Sequence, residues 1–208
     1  MKKYLILLLA AAMSFGTVSA QSAKEIKKNS RKVAKQKQKE GWEAVNNTLT
    51  LDLLYNKYNT TLLEDEENRI AIIGNAMGTN NVKVGKMNAV NAGITEYTTR
   101  VASNVTGKLK TIVSSDASSG VDVQEIDKFG AAFESKVKQK LNGLVKTTFT
   151  IRKKDANNYR YEVYMWIDRT AAAREAAIIA KETMDAYKMQ SLSDQVEDFI
   201  GDALSDTE

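Results

Sequence analysis

The chain has 208 residues, 43% hydrophobic and 27% charged, with a formal net charge of +4 and neither His nor Cys. That composition removes disulfides, thiol nucleophiles, Ser-His-Asp and Cys-His catalysis, and tetrahedral zinc held by nitrogen and sulfur ligands. The charge is uneven. From Gln21 to Glu40 there are eight Lys or Arg against Glu25 and Glu40, whereas the stretch after Ser191 carries only acids, so a uniformly basic nucleic-acid surface is not expected.

Residues 1–20 read as a secretory signal peptide. Lys2 and Lys3 form the positive end, Tyr4 to Ala12 the apolar run, and Val18-Ser19-Ala20 a small-residue cleavage site before Gln21. The apolar run is too short to span a bilayer as a mature helix, and no integral membrane span is expected elsewhere. A periplasmic or secreted location follows, with about 190 residues left after cleavage, enough for one domain and its tails.

Residues 21–41 are Lys-rich, with Ile26 and Val33 the only sizeable aliphatic side chains, and are expected to form a basic flexible arm or frayed helix. The foldable region, taken as a single α+β domain over 42–190, opens at Trp42. Leu51, Leu54, Tyr55, Tyr58 and Leu62 share one helical face behind a Thr50 N-cap. The acidic run Glu64 to Glu67 lacks the glycine turn and ligand spacing of a calcium loop and reads as solvated. Arg69 to Ala76 is a β-branched strand with Ile70 and Ile72 on one side and Ile73 on the other.

The stretch from Val82 to about Val113 is the longest element. Met87, Val90, Ile94, Tyr97, Val101, Val105, Leu109 and Ile112 make one apolar stripe, with Thr95, Thr98 and Lys108 opposite and Asn80 or Asn81 as the cap. A connector, 114–120, leads to a second amphipathic helix with Asp122 and Glu125 at capping-box spacing. Ile126, Phe129, Phe133, Val137 and Leu141 form its stripe, and Gly143 its end. A β-hairpin follows, with Val145, Thr147, Phe149 and Ile151 alternating before a turn at 153–158, then Tyr159 to Ile167 alternating again. Thr170 to Lys188 is an Ala-rich helix. Residues 191–208 form a short acidic helix and tail with Val196, Phe199, Ile200 and Leu204 on one face. The expected fold is α+β: a three-stranded antiparallel sheet, one strand plus the C-terminal hairpin, with the helices on one side.

Motifs for chemistry are sparse. Ser135 and Lys138 match S-x-x-K but sit away from the apolar stripe and lack the companion motifs. Gly85-Lys86 is followed by Met87, and no glycine stands five residues before Gly85, so the P-loop pattern fails. No cofactor is expected, and carboxylate chemistry is the one catalytic class the composition leaves open. In the hairpin, alternation puts Phe149 and Ile151 with Tyr161, Val163, Met165 and Ile167 toward the core. It puts Tyr164 and Trp166 on the other face beside Arg152, a candidate partner-binding patch.

These features together resemble the exported small-lipoprotein-antigen family, which also covers the N-terminal domain of a flagellar assembly protein, in a Bacteroidetes-type variant. The resemblance spans about Trp42 to Tyr187. It rests on Gly41-Trp42, the Leu/Tyr helix, the strand ending Gly74-Asn75-Ala76, and Lys86-Met87 leading into a long helix with Ala89 and Ala92. It rests also on Leu141-Asn142-Gly143-Leu144 and on Tyr161-Glu162-Val163-Tyr164-Met165. It implies an envelope location, no enzyme activity and no catalytic residues. Many members carry a lipid-anchor cysteine; this chain lacks it, so a free periplasmic or secreted form is expected. The leading expectation is a non-enzymatic envelope protein that binds an envelope protein or polymer. The alternatives are binding of an anionic polymer or membrane surface through the basic arm, and a carboxylate-based hydrolase.

Overall fold

The computed structural model describes residues 23–115 and 121–205. The expected signal peptide and its cleavage point, positions 116–120 of the connector and the last three residues lie outside the described residues. The elements run α1 (Ala23–Lys39), β1 (Trp42–Ala44), α2 (Leu51–Leu63), β2 (Arg69–Thr79), α3 (Val82–Ser115), α4 (Val123–Asn142), β3 (Lys146–Asp155), β4 (Asn158–Asp168), α5 (Arg169–Ala186) and α6 (Ser193–Ser205), with a 3₁₀ turn at Gln190–Leu192 before α6.

The α+β class holds, but the sheet has four strands, not three, in the antiparallel order β1-β3-β4-β2. The added strand is Trp42-Glu43-Ala44, paired with β3 from Trp42↔Lys153 to Ala44↔Ile151. Three residues are too few to display an alternating pattern, so β1 is invisible to periodicity. The helices also lie on both faces rather than one. One core layer joins α3 to α6 to the sheet, and a smaller one joins α1 and α2 to Phe149, Ile151 and Tyr164.

The two layers meet through a bulge in β3. Thr147 pairs with Met165 and Phe149 with Tyr164, so Thr148 is an extra residue without a cross-strand partner. An extra residue inverts the alternation beyond it. Before the bulge Thr147 shares a face with Met165; after it Phe149 and Ile151 share the opposite face with Tyr164 and Glu162. The expectation that Phe149 and Ile151 join Met165 in the main core is therefore corrected: they belong to the α2 layer.

In α3 the stripe Ile94, Tyr97, Val101, Val105 and Leu109 is buried, but its first turns differ from expectation. Met87 is 53% exposed, and Gly85, Ala89 and Gly93 face the sheet instead. The reason is a close approach: a Cβ on Gly74 of β2 would fall 1.9 Å from the Ala89 carbonyl oxygen, and one on Gly93 would fall 2.8 Å from the Gly74 Cα. Thr98 is buried rather than exposed, and its hydroxyl donates to the Ile94 carbonyl at 2.9 Å. In α4 all five stripe residues are buried, and the Asp122/Glu125 capping box is formed.

The acidic C-terminal segment is part of the main core. Val196, Ile200, Ala203 and Leu204 of α6 are buried, and Tyr97 donates its hydroxyl to the Leu204 carbonyl at 3.3 Å. Among the described residues no helix is long and apolar enough to cross a membrane.

Candidate functional site

Tyr164, Trp166 and Arg152 do not form one patch. Tyr164 is buried in the α2 layer. Trp166, two residues along β4, stays on that face but beyond the helix. It is half-buried, with the Lys146 ammonium 4.6 Å and the Arg69 guanidinium 4.9 Å from its ring centroid. Arg152 pairs with Tyr161 in register, so the bulge sends it to the opposite face. There its Nε donates to Glu43 Oε1 at 2.6 Å and its guanidinium lies 4.4 Å from the Tyr159 ring centroid.

What covers Tyr164 is a four-ring cluster. Phe149 and Tyr164 stack, and Tyr55 and Tyr58 from α2 meet both rings edge-on, at centroid distances from 5.1 to 6.0 Å. The hydroxyls are all used. Tyr58 donates to the Met165 carbonyl at 2.9 Å; the Tyr55 and Tyr164 oxygens are 2.8 Å apart; Tyr164 donates to Glu162 Oε2 at 2.9 Å. Burial pushes the phenols of Tyr55, Tyr58 and Tyr164 well above the ordinary tyrosine range, so they act as hydrogen-bonding groups and not as acids or bases.

That chain of polar groups ends on α1. Lys37 Nζ lies 2.6 Å from both Glu162 oxygens and 4.7 Å from the Trp42 ring centroid. Asn59 of α2 donates to the Ser30 hydroxyl at 3.0 Å, and Ile26, Ser30 and Ala34 are buried. The segment expected as a flexible arm or frayed helix is thus a packed helix. Its inward positions 26, 30, 34 and 37 are spaced for one face, but three of them are Ser, Ala and Lys, which a search for apolar stripes passes over. The usable signal was the spacing of small residues between lysines.

With that face turned in, Lys24, Lys27, Lys28, Arg31, Lys32, Lys35 and Lys39 are all exposed on the remaining surface of a 17-residue helix. Such a helix is about 25 Å long, and its neighbouring cations at three- and four-residue spacing are about 5–6 Å apart. That is inside a Debye length of about 8 Å, so their fields add. The one acid near them on α2, Asp52, is 4.0 Å from Arg31 in an exposed pair worth little.

No group of three or more His, Cys, Asp or Glu placed to hold a metal ion occurs among the described residues. In the acidic run, Glu64 pairs with Arg69 at 2.9 Å. In comparisons with protein families, curated proteins and solved structures, no family, curated protein or solved structure matches the chain.

Proposed function

We propose that this chain is a non-catalytic binding module of the cell envelope, exported by its leader, and that it engages an anionic polymer or membrane surface through the cationic face of α1. The observation that carries the reading is the fixed array of seven exposed cations on a helix anchored by Lys37–Glu162. A tethered, disordered basic arm would have to be ordered on binding; a helix already docked on the sheet presents its charges without that entropy loss. The absence of His and Cys from the sequence, and the resemblance to an envelope family without enzyme activity, support the non-catalytic part.

Co-sedimentation with phosphatidylglycerol vesicles, phosphatidylcholine vesicles and a soluble polyanion such as heparin tests it. Binding to at least one anionic probe is expected, weakening steeply between low and high salt, with no binding to the neutral vesicles. Replacing Lys27, Lys28 and Lys35 with Glu should abolish it while the circular dichroism spectrum is kept. Binding that survives this charge reversal would overturn the reading.

A second reading has its own observation. β2 is an edge strand, and Ile73 and Met77 on it are 44% and 66% exposed, with Ile73 two residues along from Ala71, the cross-strand partner of half-buried Trp166. An apolar surface at a free sheet edge favours a protein partner. Ile73→Lys would separate the two, since it should abolish partner binding and leave vesicle or heparin binding intact.

A further inference from the structure

We infer that the cleft between the β1–α2 loop, the first turn of α3 and the bulge of β3 binds a small hydroxylated anion of the sugar-phosphate class. The cleft has a volume of about 480 Å³; its polar groups come from Asn46, Asn47, Lys83, Lys86 and the β3 threonines, and Val45, Val82 and Phe149 add about as much apolar surface. That volume lies in the range of about 300–1,000 Å³ typical of small-molecule sites. It is independent of the α1 surface and is built from different elements.

Its lining is one-sided in charge. Lys83 and Lys86 stand three residues apart on α3, adjacent on one helix face, and no Asp or Glu lines the cleft. Neither ammonium is engaged in an ion pair or hydrogen bond among the described residues. Two cations without a counter-charge at one concave site repel each other until an anion sits between them. A phosphomonoester carries about −1.5 to −2 charges near neutral pH, matching two ammonium groups better than a single carboxylate does.

Besides the apolar Val45, Val82 and Phe149, the rest of the lining offers amides and hydroxyls. The Asn46 and Asn47 side chains come from a loop in which Asn46 takes a left-handed backbone, φ +51°, and the Asn47 side-chain Oδ1 accepts from the Leu49 amide at 3.0 Å, which leaves the Asn47 side-chain NH₂ to donate. Thr148 is the extra residue of the bulge, so its peptide lies outside the regular ladder. Such groups suit a polyol, each hydroxyl of which both donates and accepts. The combination of two ammonium groups with amides and hydroxyls selects a phosphorylated sugar over a bare inorganic anion.

Titration of the ¹⁵N-labelled full chain with glucose 1-phosphate at constant ionic strength tests this, with glucose and inorganic phosphate as separate arms. Saturable amide shifts are expected at Asn46, Asn47, Lys83 and Thr148, and inorganic phosphate should bind at least about fivefold more weakly, having lost the hydroxyl contacts. Lys83→Ala with Lys86→Ala should weaken binding at least about tenfold. Both lysines are exposed, so the variant should keep its melting temperature, and reversing the α1 charges should leave the titration unchanged. No saturable shift, equal affinity for inorganic phosphate, or unaltered affinity in the double variant would overturn the inference.

Discussion

Phe149 lies flat on Tyr164, their ring centroids 4.4 Å apart and their planes 1° from parallel, across the two central strands. Directly opposed residues on antiparallel strands are the natural unit of sheet stabilisation. Here the pair also forms the floor on which α2 sits, because Tyr55 and Tyr58 stand edge-on against both rings.

The stack and the hydroxyl chain can be separated by mutation. Phe149→Ala removes a nearly fully buried ring and should cost about 3–5 kcal/mol in urea unfolding. Tyr164→Phe keeps the stack but removes the hydroxyl linking Tyr55 to Glu162, and should cost about 1–2 kcal/mol. Equal losses for the two variants would mean that the hydrogen bonds, not the ring packing, hold α2 on the sheet.

Glycine in a helix ordinarily costs stability, so Gly→Ala there should help by up to about 1 kcal/mol. That is expected at Gly107 of α3, where an added Cβ meets nothing within 4 Å. At Gly93 the sign should reverse, because the Cβ would press on the backbone of Gly74, and backbone cannot step aside. Thermal melts of the two single variants should move in opposite directions, Gly93→Ala falling by an amount equivalent to about 2 kcal/mol or more.

Lys37→Met should destabilise α1 selectively. It leaves the Glu162 carboxylate, with only 13% of its side chain accessible, held by Tyr164 alone. A loss of about 1–3 kcal/mol is expected, against less than about 0.5 kcal/mol for Arg31→Met, whose pair with Asp52 is long and exposed. Hydrogen exchange should show the amides of α1 opening earlier in the Lys37 variant while those of α3 stay protected.

Alkaline pH should unfold the protein through its tyrosines. Burial raises the phenols of Tyr55, Tyr58, Tyr97 and Tyr164 above the ordinary value near 10. The folded state therefore keeps protons that the unfolded chain releases above about pH 10, and folding free energy falls as pH rises past that point. Below it this contribution is fully present. Absorbance at 295 nm should show these four ionising together with loss of the native circular dichroism signal; tyrosinate formation without unfolding would contradict the packing described for them.

How much of this was legible varies with the kind of residue involved. The α4 stripe Ile126 to Leu141 and its capping box are read directly, because large apolar residues at helical spacing and a capping pair act locally. The start of α3 is not, because there the contact is made by absence: Gly74, Gly85 and Gly93 admit close neighbours, and hydrophobicity ranks Met87 above them although Met87 faces solvent. The inner face of α1 is missed for a related reason, since Ser30 and Ala34 pack without being strongly apolar. Counting residues in twos puts Arg152 beside Trp166, and one unpaired Thr148 makes that count fail. The cleft at Lys83 and Lys86 joins segments far apart in the chain, which spacing within any one segment does not reveal.

The bulge has a consequence for how this strand can change over generations. Because Thr148 is the extra residue, its loss would leave Thr147 opposite Met165 and Phe149 opposite Tyr164, and β3 would become a regular strand with its partners unchanged. Phe149 and Ile151 would stay beneath α2, and Thr150 and Arg152 on the other face. The strand can thus shed its bulge in a single deletion without exchanging its two layers. Substitutions at position 148 itself, which occupies neither buried core, should cost little stability.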